Sequence, residues 1–195
     1  VQSELADGLR KLVPFRGEGG VAGWSPDDTV ALLRDGRNRH ASVLGPMAAV
    51  VKDGTQHLPE ADLRAMATYL HSLPARPVDR PDFEPAEDRL LTRGARLYEQ
   101  HCAQCHGDAG EGAAGIYPAL AGHRAVTQTS PVNTIQAILS GGFAPATAAH
   151  PRPFGMPPYR SALTDDDVAA VASFVRQSWG NRAGAVSALD VARAR

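Results

Sequence analysis

Apolar side chains recur at Val168, Val171, Ala172, Val175 and Trp179, spacings of three and four that gather them on one helical face. Ahead of that run Thr164 and Asp167 form a capping-box-like start, with aspartate where glutamate is usual. Asp165 and Asp166 add favourable negative charge to the first turn. A helix closed by Gly180 is expected there. A second helix, opened by Asp88, is expected through Leu90, Leu91, Ala95 and Leu97. The same kind of pattern occurs earlier in the chain. Thr29-Val30-Ala31-Leu32-Leu33-Arg34-Asp35-Gly36 lines up with Thr134-Ile135-Gln136-Ala137-Ile138-Leu139-Ser140-Gly141, and Leu58 precedes Leu163 by the same 105 positions. Asp62, Ala65, Ala67 and Tyr69 then align with Asp167, Ala170, Ala172 and Phe174. Two blocks sharing one offset mark a repeated unit.

The patterned units are separated by Leu73 to Pro85, a stretch with four prolines and several charges that reads as an extended, semi-rigid connector. The expected organisation is therefore all-α: a helical lobe over 1–73, a Pro-rich linker over 74–87, and a second helical domain over 88–195. At 195 residues and 43% hydrophobic, the chain can hold one or two small domains. A net charge of −1 makes no case for nucleic acid as a partner. No apolar run approaches the ~20 residues needed to cross a bilayer, and the chain starts at Val1 with no signal-peptide pattern.

Cys102-Ala103-Gln104-Cys105-His106 holds the chain's two cysteines, and this spacing lets two thiols and an imidazole grip one haem. Three other readings stand beside it. A structural zinc site normally has four N or S ligands, and no second cysteine pair completes one. A thioredoxin-like pair would sit beside a βαβ pattern, whereas helices and Gly/Pro loops flank this one. An ordinary disulfide is the third. On the haem reading His106 takes one axial position of the iron and Met156 is the candidate for the other. Met156 lies in Pro153-Phe154-Gly155-Met156-Pro157-Pro158-Tyr159, where three prolines hold the loop extended and Gly155 permits close approach. A thioether ligand raises the haem potential, which suits electron transfer. Core filling is the alternative task for Met156. His150 is the rival ligand, and His101, just before the motif, is a further residue of interest.

These residues carry a resemblance. From about Arg89 to Trp179 the chain resembles a class I cytochrome c domain, with Gly94 and Tyr98 at the place of that family's helix-crossing Gly and aromatic. Pro118-Ala119-Leu120-Ala121-Gly122 matches its Pro-x-Leu-x-Gly segment. The resemblance implies one covalent haem c on Cys102 and Cys105, His106 and Met156 on the iron, and a Pro118 carbonyl that accepts a hydrogen bond from His106. His123 and Arg124 are candidates to neutralise a haem propionate. Phe174 and Trp179 either touch the haem or pack helix on helix, the latter being favoured. Trp24-Ser25-Pro26-Asp27-Asp28, Gly36-Arg37-Asn38, Gly45-Pro46-Met47, Gly142 to Thr147 and Ser178-Trp179-Gly180-Asn181 are similar to the triple-haem cytochrome c subunits of membrane-bound bacterial alcohol, aldehyde or sugar-acid dehydrogenases. That resemblance implies a periplasmic electron carrier between a dehydrogenase catalytic subunit and ubiquinone or an oxidase. A haem enzyme with an open sixth site, acting on peroxide or a small sulfur compound, is the competing class.

The N-terminal lobe repeats the second half of the haem domain without a haem motif. It is either a degenerate lobe packed on the haem domain or part of a longer multihaem protein, the reading favoured, and a partial core predicts marginal folding. Met47 has no covalently held haem to serve. Arg34, Arg37, Arg39 and His40 read as a solvated basic loop, with an acidic partner as the alternative.

Overall fold

The structure, a computed structural model, describes residues 20–21, 23–73 and 83–195. The N-terminal lobe begins with α1 (Pro26–Asp35), whose start is set by its sequence. The Ser25 hydroxyl accepts the Asp28 amide at 3.1 Å and the Asp28 carboxylate accepts the Ser25 amide at 3.0 Å, with Pro26 in the first turn. Next come α2 (Pro46–Asp53), a 3-10 turn (Thr55–His57) and α3 (Glu60–Ser72). Val30, Leu63 and Ala67, backed by Leu33, form a small core between α1 and α3. Most of the predicted linker lies outside the described residues. Its last part is docked: Ala86 N–H donates to Gln177 and Arg182 lies over the Phe83 ring.

The second unit runs through α4 (Asp88–His101), α5 (Ala103–His106), α6 (Arg124–Thr127), α7 (Val132–Ser140), β1 (Gly142–Phe143), β2 (Gly155–Met156), α8 (Asp165–Gln177) and α9 (Ala188–Ala194). Its core of Ile135, Leu139, Val168, Val171, Val175, Val186 and Val191 is far larger than the lobe's. Helices α4 and α8 cross at Gly94, where a Cβ would lie 2.2 Å from the Ala170 carbonyl oxygen, so only glycine lets the two backbones approach this closely. Arg93 and Asp167 pair across the same crossing at 2.7 Å. The Thr164–Asp167 box that the sequence predicts is formed. It holds the Asp167 carboxyl below its ordinary range, chiefly through the Thr164 hydroxyl.

Two helix ends differ from expectation. Asp88 is the first residue of α4, with Glu87 at the cap position and no side-chain capping bond. Helix α8 stops at Gln177 rather than continuing to Gly180. The chain goes extended at Ser178 and left-handed at Trp179 (φ 54°), which sends the indole against Tyr98 and Phe174 at 4.9 and 5.4 Å between ring centroids. The buried Arg176 guanidinium donates to the carbonyls of Val126, Gln128, Thr129 and Gly184, tying the chain around α6 to the C-terminal tail.

The repeat is visible in three dimensions. Helices α3 and α8 are 13 residues each and occupy ranges 105 positions apart, as do the chain segments closed by Gly36 after α1 and Gly141 after α7.

Candidate functional site

Helix α4 ends at His101, and Cys102 links it to the single turn of α5, so both thiols and the His106 ring come from adjoining turns. The sulfur atoms are free. Burial, and then Cys105, push the Cys102 thiol up to about 11, so it stands protonated at neutral pH. His106 Nδ1 lies 2.9 Å from the Pro118 carbonyl oxygen. A carbonyl can only accept, so the ring proton sits on Nδ1 and the Nε2 lone pair is left available. Burial lowers the His106 pKa, against the Pro118 carbonyl, which favours the protonated ring.

Pro118 is itself held in place. Asn181 donates to the Leu120 and Val175 carbonyls at 3.1 and 2.8 Å and accepts the Gly122 amide at 2.8 Å, while Leu120 and Ala121 amides donate to Gly110. Gly110 (φ +65°) must be glycine, since a Cβ there would lie 2.4 Å from the Trp179 ring. Trp179 and Asn181 therefore brace the segment that aims His106. On the other side, β1 pairs antiparallel with β2, with Gly142 opposite Met156. Tyr159, at the end of the Pro-rich loop, donates to the His101 carbonyl at 2.7 Å and fixes the Met156 loop to the motif helix.

Cys102, Cys105, His106 and Met156 all line one cavity of about 630 Å³, within the range of small-molecule and cofactor sites. Two thiols, an imidazole with a free Nε2 and a thioether around a largely apolar space are the donor set a covalently attached haem requires. His101 also lines this cavity, edge-on to Tyr159. Met47, on exposed α2, does not line it, and His150 lies beside it at a separate depression. Phe174 and Trp179 are likewise absent from its lining and pack with Tyr98 at the α4–α8 crossing.

His123 lines the cavity, whereas Arg124 lies outside its lining, and both also make contacts with the N-terminal lobe. His123 Nδ1 accepts the Ala125 amide, and Nε2 faces the Ser42 amide and hydroxyl at 3.1 and 3.2 Å. The Arg124 guanidinium lies over the Trp24 ring, outside the cavity lining, and its amide donates to the His40 carbonyl. Both residues thus join the two units. The basic loop of the lobe is solvated at Arg34 and Arg39, while Arg37 and His40 are partly buried. Arg39 pairs with Asp28 at 2.9 Å, His40 stacks on Trp24, and Arg37 is half-buried and reaches across to the Gly115 carbonyl at 2.6 Å. Arg37, Asn38, Arg39, Ser42 and Leu44 form one wall of the cavity. Nothing in the spacing of the lobe residues signals that wall, since it depends on how the units dock.

Comparison with known proteins gives the family and relatives of this chain. A family model described as Cytochrome c matches residues 91–179. The chain is 38% identical over 185 residues to the cytochrome c subunit of alcohol dehydrogenase (quinone) from Gluconobacter oxydans (strain 621H), covering 90% of this chain and 39% of that protein. It is 36% identical over 186 residues to the gluconate 2-dehydrogenase cytochrome c subunit of Pantoea cypripedii, covering 90% and 42%. The fructose dehydrogenase cytochrome subunit of Gluconobacter japonicus is 34% identical over 203 residues, covering 91% and 42%. The chain thus spans about two fifths of the length of these relatives.

Proposed function

Given that residues 91–179 are a cytochrome c domain, we propose that this chain is an electron carrier holding one haem c, and that it relays electrons from a dehydrogenase catalytic subunit toward a quinone or an oxidase in the bacterial periplasm. The dehydrogenase and quinone are suggested by the names of its relatives. No helix among the described residues is long and apolar enough to cross a membrane, so membrane association would come through other parts or partners. The observation that carries the proposal is the convergence of Cys102, Cys105, His106 and Met156 on one cavity.

Bound there, the haem supplies reversible one-electron chemistry at iron. The protein's own residues do the rest. Cys102 and Cys105 would hold the haem as thioethers, each adding its S–H across one vinyl group, sulfur to one carbon and hydrogen to the other, so that no external oxidant would be consumed. His106 presents Nε2 because the Pro118 carbonyl holds the Nδ1 proton, which fixes the ring's tautomer and orientation. Met156 offers sulfur from a loop clamped by Tyr159 and by the β1–β2 pair. A thioether ligand favours the reduced metal and raises the potential. His106 and Met156 both rest on braced elements, so little would have to move when one electron comes or goes.

Changing Met156 to Ala tests the ligand assignment. The variant is expected to lose the sulfur-to-iron charge-transfer band and to show a lower midpoint potential. Unaltered spectra and potential would assign the position to another group.

A further inference from the structure

Among the described residues Arg37 is the cavity-lining arginine that forms no ion pair with a carboxylate, although the nearby Asp35 carboxylate favours its charge. Arg39 is paired with Asp28, and among the described residues Arg37 forms no ion pair. Among the described residues its guanidinium makes one hydrogen bond, at 2.6 Å to the Gly115 carbonyl, a neutral acceptor. The loop that carries it is tightly set. Gly36 ends α1 at φ +72° against Pro145, and Arg37 bridges to Ser42 as a short antiparallel pair. The side chain is therefore presented across the junction rather than left free to find water. A guanidinium held half out of water with only a partial counter-charge is costly, and a closer anion relieves that cost. In agreement, burial lowers the Arg37 pKa and Asp35 only partly offsets it.

This inference rests on the haem reading above. Haem carries two propionates on the edge away from its vinyl groups, so once Cys102 and Cys105 hold the vinyl edge, the acidic edge faces walls the motif does not form. We propose that Arg37 of the N-terminal lobe binds the carboxylate edge of the haem held by the C-terminal domain, so that the lobe completes the haem site and sets its potential. A fixed positive charge beside that edge stabilises the propionate anion and favours the reduced iron, because reduction adds one negative charge to the site. Arg37 is a positioning and tuning residue; the ligands to iron lie elsewhere.

The test is a redox titration of the matured full chain beside Arg37→Gln and Arg34→Gln. Arg34 carries the same charge on the exposed face of α1, paired with Asp35 and Glu60. Arg37→Gln is expected to lower the reduced-to-oxidised ratio at fixed ambient potential by about tenfold, equivalent to ~59 mV for one electron, with the sulfur-to-iron band retained. Arg34→Gln should leave the ratio within about twofold of wild type. Equal shifts in the two variants, or none in Arg37→Gln, would overturn the inference while leaving the haem reading intact. A colourless wild-type protein would overturn both. Should Arg37→Gln mature poorly, Arg37→Lys keeps the charge and gives up the planar fork. Its resonance Raman propionate bending mode should then shift, and an unshifted mode is the contrary result.

Discussion

Helices α3 and α8 occupy matching places in the repeat, yet they live in different surroundings. On α8, where α4 crosses at Gly94 over Ala170 and Phe174, Val171 is 1% exposed; the matching Met66 on α3 is 37% exposed, and Tyr69, which matches Phe174, is 64% exposed. Inward positions agree: Leu63 and Val168 are both buried, as are Ala67 and Ala172. The helix starts differ too. Thr164 caps α8 with Asp167, whereas Pro59 at the matching place on α3 has no hydroxyl, and Asp62 is left without its box partner. One pattern of apolar positions thus suffices to make a helix pair, but the crossing helix that carries the Cys-x-x-Cys-His turn is what makes a haem domain.

The sharpest way to break this contrast is to remove the crossing. Gly94→Val drives a side chain into the Ala170 backbone and is expected to cost about 3 kcal/mol or more, a fall of over ~10 °C in the melting temperature of the haem domain. A change under ~2 °C would mean that the crossing is loosely packed. Next in size is Leu63→Ala, which empties the small lobe core. A loss of about 2–3 kcal/mol is expected. It should appear as lost amide protection in α1 and α3 while the haem spectrum is kept; protection lost throughout would show that the two units fold as one.

Acid should loosen the junction between the units. Burial, and then His106, lower His123 from 6.5 to about 4, so the neutral ring that meets Ser42 is favoured in the folded chain. The unfolded chain takes up this proton first as pH falls. The contribution of His123 is therefore complete above pH 6.5 and is lost between 6.5 and about 4. Hydrogen exchange at Ser42 is expected to quicken over that window, and His123→Gln should remove the step. The smallest effect is expected at Ala65, the exposed counterpart of buried Ala170. Ala65→Leu should change stability by less than about 0.5 kcal/mol, whereas Ala170→Leu at the crossing should be clearly destabilising in thermal melts.

The elements that local chemistry specifies were legible in the chain. The Thr164–Asp167 box, the α8 stripe, the 105-position repeat and the Cys102–His106 turn all depend on spacings of a few residues. Where a residue ends up through docking, the pattern was silent. Arg37 reads as one more basic loop residue, and its place in the cavity wall follows from Gly36 meeting Pro145 across the junction. His123 lines the cavity and also meets Ser42, whereas Arg124 lies over Trp24 outside the lining. Trp179 falls on the apolar helical stripe, but a left-handed turn takes it off the helix and under Gly110. Asn181, which braces the Pro118 segment, follows a helix end and has no periodic signal of its own.

Everything assigned to the cavity depends on one haem fastened to Cys102 and Cys105. The intact mass of the chain, matured in a periplasm with haem-attachment machinery and then denatured in acid, tests this most directly. The expected value exceeds the polypeptide by one haem, with the pigment remaining on the protein during acidic organic extraction. A polypeptide of unmodified mass, or one that releases its colour into the solvent, would contradict the account.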